Sequence, residues 1–221
     1  MIYERRAYLL RQGEEDAFWE AQEKWNSGPL FQPLLQSNLF YLVCPGEDGT
    51  EILHFYRYDD LNHWRATYDR YFAAQDSAFF ATVRGLMLSQ QTDFFVESPF
   101  YPGNGVRTSE AIGDDLTVVE TIVDALPGQL PRYWEGADDQ PLIAVQSLTG
   151  TLHRALEYRA FPTEENARAF AETMTETPCP AGLRHRQVRI GRAPALPGRF
   201  SYFEGGANSA SDTATSERMD P

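Results

Sequence analysis

Polar and aromatic side chains alternate along two short segments of the chain, in a pattern that could line a site for a small molecule. The residues lie two apart within each segment: Glu4, Arg6 and Tyr8 in the first, and His54, Tyr56 and Tyr58 in the second. A carboxylate and a guanidinium can pair and fix each other's geometry, and an imidazole that titrates near neutral pH can transfer a proton. Tyrosine rings add a flat apolar wall with hydroxyl groups that donate or accept hydrogen bonds.

This combination of side chains predicts a ligand-binding site with one candidate catalytic residue. We expect His54 to act as an acid or base and the other five residues to bind the ligand. The lining suits a planar or aromatic molecule with a carbonyl or carboxylate group, which Arg6 could bind. The same residues also have a structural interpretation, because Glu4 and Arg6 could be an ion pair that joins two sheets and tyrosine rings often fill sheet interfaces. The sequence leaves both interpretations open.

The elements that must position these residues follow an order that occurs twice. Residues 1–102 are predicted to form strand, helix, strand, strand, helix and strand, and residues 117–200 repeat this order in a shorter form. The segment between the first two strands of the repeat contains three prolines, so one or two helical turns at most are expected there. Residues 103–116 are a predicted linker, and residues 201–221 are a predicted disordered tail.

A βαββαβ unit is the ferredoxin-like arrangement, in which a four-stranded antiparallel sheet carries both helices on one face. The other face of each sheet would be a large exposed apolar surface, which soluble proteins rarely tolerate. Two such sheets in one chain can cover each other. The predicted fold class is therefore α+β, with tandem ferredoxin-like repeats that pair their antiparallel sheets into an intramolecular α+β barrel.

The alternation of side chains along a strand predicts which ones face the barrel interior. Successive residues of a strand point to opposite faces. The more apolar set, which we expect to face the helices, is Tyr3, Ala7 and Leu9 in the first strand and Leu53 and Phe55 in the third. The six candidate site residues would then point into the barrel. Arg5 and Arg57 fall on the side assigned to the helices, and a shift of one residue would exchange the two faces.

Three segments of the first half resemble NIPSNAP-type proteins. MIYERRAYLLRQG resembles their MIYELRxYxLxPG start, ILHFYRYDDL their VVHxWxYxSL hairpin strand, and LSQQTDFFVESPFYP their SQExxxLxPxPFSP segment. Arg5 departs from the usual apolar residue, and Tyr56 stands where tryptophan is common. The resemblance implies the dimeric α+β barrel superfamily, whose members often hold a small ligand between the two sheets.

Composition excludes several classes of partner. The net charge of −13 argues against binding to nucleic acid or an anionic membrane, because both require clustered Lys and Arg. The start of the sequence lacks an apolar signal region, and two isolated cysteines, Cys44 and Cys179, favour a reducing compartment. A cytoplasmic location is therefore expected. Four scattered histidines predict no metal site, and we expect no cofactor.

Two functions of different classes fit these observations. The first is an enzyme or binding protein for a small, aromatic organic molecule held between the sheets, with cofactor-independent proton transfer, isomerisation or oxygenation as candidate reactions. The alternative is a non-catalytic structural or assembly protein with an aromatic-filled barrel. A cavity with unpaired polar groups would favour the first function, and a fully packed interior the second. A homo-oligomer is compatible with both.

Overall fold

The computed structural model describes residues 1–25, 32–73, 78–101, 105–106, 116–135 and 141–192. Within these residues eight strands and six helices are present. The strands are β1 (Ile2–Leu10), β2 (Asn38–Gly46), β3 (Gly49–Tyr58), β4 (Met87–Glu97), β5 (Thr117–Ala125), β6 (Ile143–Ser147), β7 (Arg154–Phe161) and β8 (Leu183–Arg192). The helices are α1 (Glu15–Trp25), α2 (Gln32–Ser37), α3 (Leu61–Phe72), α4 (Ala78–Leu86), α5 (Leu130–Trp134) and α6 (Glu164–Glu176).

The strands form one closed barrel in the order β1-β3-β2-β8-β5-β7-β6-β4. We call β1–β4 with α1–α4 the first lobe, and β5–β8 with α5 and α6 the second lobe. The strand order is β4-β1-β3-β2 in the first lobe and β8-β5-β7-β6 in the second, so the two lobes place corresponding strands in the same order. All strand pairs are antiparallel. The predicted α+β barrel is confirmed.

The two seams between the lobes are short. In the described residues, β4 and β6 pair over Phe95–Glu97, and β2 and β8 pair at Val43 with Arg192. Gly191 lets the backbones approach at the second seam, because a Cβ atom there would lie 2.9 Å from the Cys44 sulfur. Of the predicted linker, Val106 forms an isolated bridge with β6. The predicted tail lies outside the described residues, and the domain boundaries stay predictions.

Local sequence explains where several helices begin. Asp60 caps α3, because its side chain accepts hydrogen bonds of 2.8 Å from the backbone N–H groups of Asn62 and His63. Thr163 caps α6 in the same way through Asn166. Within its described residues, the proline-rich segment forms the five-residue α5, as its composition predicted. The short helix α2 was not predicted.

The barrel interior is filled by side chains from both lobes. Four aromatic rings form a continuous row of contacts there. The ring centroids of Tyr3 and Phe55 are 5.9 Å apart, those of Phe55 and Phe40 are 5.3 Å apart, and those of Phe40 and Tyr158 are 4.8 Å apart. Each of these rings is at most 1% exposed. Beside them, Arg5 of β1 forms a bidentate ion pair with Glu120 of β5, at 2.7 and 3.0 Å. Because β1 and β5 are not neighbours in the sheet, this pair crosses the interior.

The predicted orientation of β1 and β3 is wrong. Arg5 points into the barrel, whereas Arg6 lies over the rings of Tyr68 and Tyr71 in α3, so Arg6 and the other candidate site residues of both strands face the helices. Almost all of β1 is buried on both faces, and each face carries a buried ion pair. Relative polarity therefore gives no indication of which face lies inside.

The predicted correspondence between the lobes fails for the same reason. In sequence, Val118–Val119–Glu120 resembles Ile2–Tyr3–Glu4, which predicts that Glu120 corresponds to Glu4. In the structure, Glu120 lies in the interior and Glu4 on the helix side. Tyr158 likewise donates to Glu120 inside the barrel, whereas its predicted counterpart Tyr56 lies on the helix side. The second lobe therefore does not reproduce the candidate site of the first.

Candidate functional site

The register of β1 and β3 brings the six predicted site residues together. Arg6 lies opposite His54, and Glu4 lies opposite Tyr56, on the helix-facing side of the sheet. Arg6 donates two hydrogen bonds to Glu4, of 2.7 and 2.8 Å, and the Tyr58 hydroxyl donates a third to the same carboxylate at 3.1 Å. Glu4 and Arg6 are both almost fully buried. The predicted ion pair is present, but both of its partners belong to β1, so it does not join two sheets.

Aromatic rings surround the Arg6 guanidinium. Its central carbon lies 4.6 Å from the ring centroid of Tyr56, 5.1 Å from that of Tyr68 and 5.4 Å from that of Tyr71. Cation–π contacts of this kind stabilise a guanidinium that has left water. Arg6 thus has internal partners of opposite charge and of aromatic character, and its predicted role in ligand binding stays a prediction.

His54 is buried, and only one of its two ring nitrogens forms a hydrogen bond with another described residue. Its Nδ1 lies 2.8 Å from the Tyr56 hydroxyl oxygen, and its ring packs edge-on against Tyr41 and Tyr8, at centroid distances of 4.4 and 4.8 Å. Among the described residues, Nε2 has no hydrogen-bond partner. Burial and the positive charge of Arg6 hold the pKa of His54 well below 6.5. The ring is therefore neutral near pH 7, and Nε2 offers an unmatched donor or acceptor depending on the tautomer.

The tyrosines around His54 stay neutral as well. Burial raises the pKa of Tyr8, Tyr41, Tyr56 and Tyr58 above the usual value of a phenol. A neutral phenol can donate and accept hydrogen bonds but is a weak base. The imidazole and the four phenols are therefore uncharged near neutral pH, and they offer hydrogen bonds rather than a base, because burial and Arg6 disfavour protonation of His54.

The unfolding free energy is expected to depend on pH through His54. The unfolded chain binds a proton at this residue below about pH 6.5 and the folded chain does not, so stability falls as the pH drops below that value. Between pH 7.5 and pH 5.5, protonation of His54 in the unfolded chain lowers the free energy of unfolding by about 1.4 kcal/mol. Urea unfolding of the parent and of His54→Gln at both pH values would measure it. The stability difference between the two proteins should shrink by that amount at pH 5.5.

Arg6, Tyr8 and Tyr41 face His54 from the neighbouring strands, and Tyr56 from its own. His63→Gln, which removes an exposed histidine, serves as the matched control. Equal pH dependence in the parent and in His54→Gln would contradict the assignment of a neutral buried imidazole.

A cavity of about 240 Å³ lies between the first-lobe sheet and helices α1, α3 and α4. Its walls are mainly aromatic. The lining residues are Tyr8, Phe18, Gln22, Tyr68, Tyr71, Phe72, Phe79, Phe80, Val83, Arg84, Met87 and Gln90. We call this space the helix-side cavity. Two of its wall residues, Tyr8 and Phe18, are in ring contact with His54, so the buried polar cluster lies directly behind the wall.

The structure places the predicted residues in two layers. Tyr8 lines the cavity, and His54, Tyr56, Tyr58, Glu4 and Arg6 lie in the cluster beneath it. The apolar spacing in the sequence places Phe79 and Val83 on one predicted helix and Tyr68 on another, without assigning them to a site. The sequence therefore indicated which helices carry these wall residues, but it gave no indication of the cavity that the residues enclose.

A larger groove, of about 770 Å³, lies at the seam where the β2–β3 turn faces β8 and α6. It is more open and holds none of the predicted site residues. The described residues contain no group of three or more His, Cys, Asp or Glu side chains arranged to hold a metal ion. Every helix within the described part of the chain is too short or too polar to cross a lipid bilayer.

Comparison with known proteins identifies the fold. No protein-family model and no curated protein matches the chain. A Fusobacterium nucleatum structure provisionally named as a monooxygenase matches 86% of this chain and 91% of its own, with 12% identity and a TM-score of 0.57. An anthrone oxidase-like protein matches 88% of this chain and 96% of its own, with 10% identity and a TM-score of 0.52.

A NIPSNAP-like domain protein from Burkholderia xenovorans also matches, over 46% of this chain and 89% of its own, with 20% identity and a TM-score of 0.36. Other solved NIPSNAP proteins match over a similar share of the chain. The chain thus resembles NIPSNAP-type proteins, as the three sequence segments predicted, and its fold is the ferredoxin-like α+β barrel.

Proposed function

We propose that the helix-side cavity binds a small planar aromatic molecule above the cluster formed by His54 and its tyrosines. The observation that carries this proposal is an aromatic-walled cavity of about 240 Å³, two walls of which contact a buried imidazole with an unmatched nitrogen. An apolar cavity of about 150 Å³ is known to bind benzene, so this one suits one or two fused rings. The position differs from the sequence-based expectation, because the ligand lies between sheet and helices.

The interaction proposed for this site is recognition of a planar ring by aromatic contact, with hydrogen bonding to a polar group of the ligand. Tyr8 lines the cavity, and its neutral phenol can donate or accept a hydrogen bond. Behind the wall, Tyr56 holds the His54 imidazole at Nδ1 and thereby fixes its orientation. The two solved structures that match most of this chain are named as a monooxygenase and as an anthrone oxidase-like protein. Both names refer to oxidation and are in keeping with a small organic ligand.

Binding of 2-naphthol tests the proposed site. Isothermal titration calorimetry at pH 7.5 should give a Kd below about 1 mM for the parent. Val83 is buried and lines the cavity, so Val83→Phe should fill the space and weaken binding by about tenfold or more, since each lost 1.4 kcal/mol of contact energy is tenfold.

The matched control is Val188→Phe, which makes the same change at the seam groove and should leave 2-naphthol binding unaltered. Circular dichroism establishes that both variants are folded. A folded parent that does not bind 2-naphthol, or equal binding by the parent and Val83→Phe, would exclude the helix-side cavity as the site.

The filled barrel interior favours a second candidate function, a non-catalytic assembly protein. Rings of both lobes occupy the interior, and Arg5 and Glu120 are joined there by two hydrogen bonds, in keeping with the structural alternative. Sedimentation of the ligand-free protein as a stable oligomer, together with no binding of 2-naphthol, would support this candidate over the first.

A further inference from the structure

Resting on the proposed function, we infer that the ligand of the helix-side cavity is a neutral aromatic carbonyl compound, whose carbonyl oxygen accepts a hydrogen bond from the Tyr8 hydroxyl group. Tyr8 lines the cavity and is only 6% exposed. Two other polar side chains of the lining, Tyr68 and Gln90, lie closer to solvent. Because water competes less for a buried group, a hydrogen bond to Tyr8 has the larger effect on which ligand binds.

The neighbour of Tyr8 on the same face of β1 sets the direction of that hydrogen bond. Arg6 lies two residues before Tyr8 on the strand, so both side chains point towards the helices. Burial raises the pKa of Tyr8, and the charge and hydrogen bonding of the adjacent Arg6 guanidinium oppose that increase. A guanidinium has donors and no acceptor, so the Tyr8 oxygen accepts from Arg6 and its own hydrogen points elsewhere. Among the described residues no side chain accepts that hydrogen, which leaves it for an acceptor on the ligand.

The buried ion pair presents its positive end to the cavity wall. The guanidinium carbon of Arg6 lies 5.1 Å from the ring centroid of Tyr68 and 5.4 Å from that of Tyr71, and both rings line the cavity. The Glu4 carboxylate instead accepts hydrogen bonds from Arg6 and from Tyr58, which is not a lining residue. This orientation favours a partly negative ligand atom, such as a carbonyl oxygen, over a hydrogen-bond donor.

The same layer disfavours a fully charged ligand at Tyr8. Two hydrogen bonds from Arg6 to Glu4 balance the charge of the guanidinium. A carboxylate held at Tyr8 would therefore lose its hydration beside an arginine that is already paired, which is costly. A neutral carbonyl group loses less hydration and regains one hydrogen bond from the phenol. A carbonyl conjugated to the ring also keeps the ligand flat between the aromatic walls.

Ring packing keeps the Tyr8 side chain in one position. Its ring centroid lies 4.8 Å from that of His54, in an edge contact, and 6.2 Å from that of Phe18. A donor that is already in place binds its acceptor without a further loss of side-chain freedom. His54, which the sequence predicted as a catalytic residue, thus serves here as the packing partner of a binding residue.

Three probes of one shape test the inference: 1-indanone, which has only an acceptor, indole, which has only a donor, and indane, which has neither. Calorimetric titration at pH 7.5 measures the binding of each probe to the parent and to Tyr8→Phe, which keeps the ring and removes the hydroxyl group. Tyr8→Phe should weaken 1-indanone binding about five- to tenfold, the effect of one buried hydrogen bond. The affinities for indole and indane should change by less than about twofold. Each probe is compared with itself, so its own hydration cancels.

Tyr3→Phe is the matched control. It removes a hydroxyl group that donates to Glu97 at 2.7 Å, and Tyr3 is not a lining residue of the cavity. Its affinities for the three probes should equal those of the parent. The melting temperatures of both variants are measured alongside. Equal weakening of all three probes in Tyr8→Phe would assign Tyr8 a packing role and overturn the inference.

The outcomes also separate this inference from the proposed function. If 2-naphthol binds but 1-indanone does not, or if Tyr8→Phe weakens 1-indanone no more than indole, the donor role of Tyr8 is overturned and the cavity remains a ligand site. If neither 2-naphthol nor 1-indanone binds the folded parent, both proposals are overturned.

Discussion

Replacement of Arg6 by methionine is expected to lower the free energy of unfolding by about 3–5 kcal/mol, because it leaves the Glu4 carboxylate buried without its counter-charge. Glu4 is 0% and Arg6 1% exposed, so water cannot replace the lost partner. The substitution also removes the cation–π contacts with Tyr56, Tyr68 and Tyr71. Urea denaturation at pH 7.5, followed by circular dichroism, measures the change.

An exposed ion pair provides the matched control for this measurement. Arg65 and Asp69 are 3.9 Å apart and 78% and 71% exposed, so Arg65→Met should cost less than about 1 kcal/mol. The double variant Glu4→Leu/Arg6→Met should be more stable than Arg6→Met alone, because no unpaired charge is left inside. If Arg6→Met is no more harmful than Arg65→Met, the buried pair does not stabilise the first lobe.

Replacement of Glu120 by glutamine is expected to have an effect of similar size, about 3–5 kcal/mol, on the contact between the lobes. Glu120 accepts hydrogen bonds from Arg5, from Tyr158 at 2.6 Å and from Arg189 at 2.8 Å. A neutral amide cannot balance the buried Arg5 guanidinium, and its NH₂ group would face donors. The loss should appear in the same urea experiment, at pH 7.5.

The same carboxylate predicts a particular pH dependence. Its arginine neighbours lower the pKa of Glu120 from the usual 4.5 to about 2, so its contribution is complete above pH 4.5 and is lost as the pH falls towards 2. Between pH 5 and pH 2.5 the parent should lose about 2–3 kcal/mol through this group, and Glu120→Gln should lack that share. Glu164→Gln, at an exposed ion pair of α6, should follow the parent. A Glu120→Gln profile that also follows the parent would rule out this assignment.

Strands and helix starts could be predicted because their signals are local. Alternation and the following Gly13 delimit Ile2–Leu10 as a strand, and the residue type and position of Asp60 predict a helix cap; the structure has both. Helix α2 has only six residues, too few for a periodic pattern to emerge. Its prediction would require knowledge of the surfaces against which it packs.

The grouping of the six candidate side chains was predictable, but their position in the fold was not. Alternation places three of them on one face of each strand, and β1 and β3 are neighbours in a ferredoxin-like sheet, so the two sets lie close together. The face was not determined, because Arg5 and Arg6 are both buried and both paired. The cavity depends on how α3 and α4 pack over the sheet, which no local pattern encodes.

The Arg5–Glu120 pair also bears on how newly made chains find their partners. In the strand orders β4-β1-β3-β2 and β8-β5-β7-β6, β1 and β5 hold the same place. Two first lobes from separate chains could therefore form a similar barrel, but it would bring two Arg5 guanidinium groups together at its centre. Two second lobes would oppose two Glu120 carboxylates in the same way. Like charges in contact cost several kcal/mol, so the pair favours contact between a first lobe and a second lobe and disfavours contact between two first lobes or two second lobes.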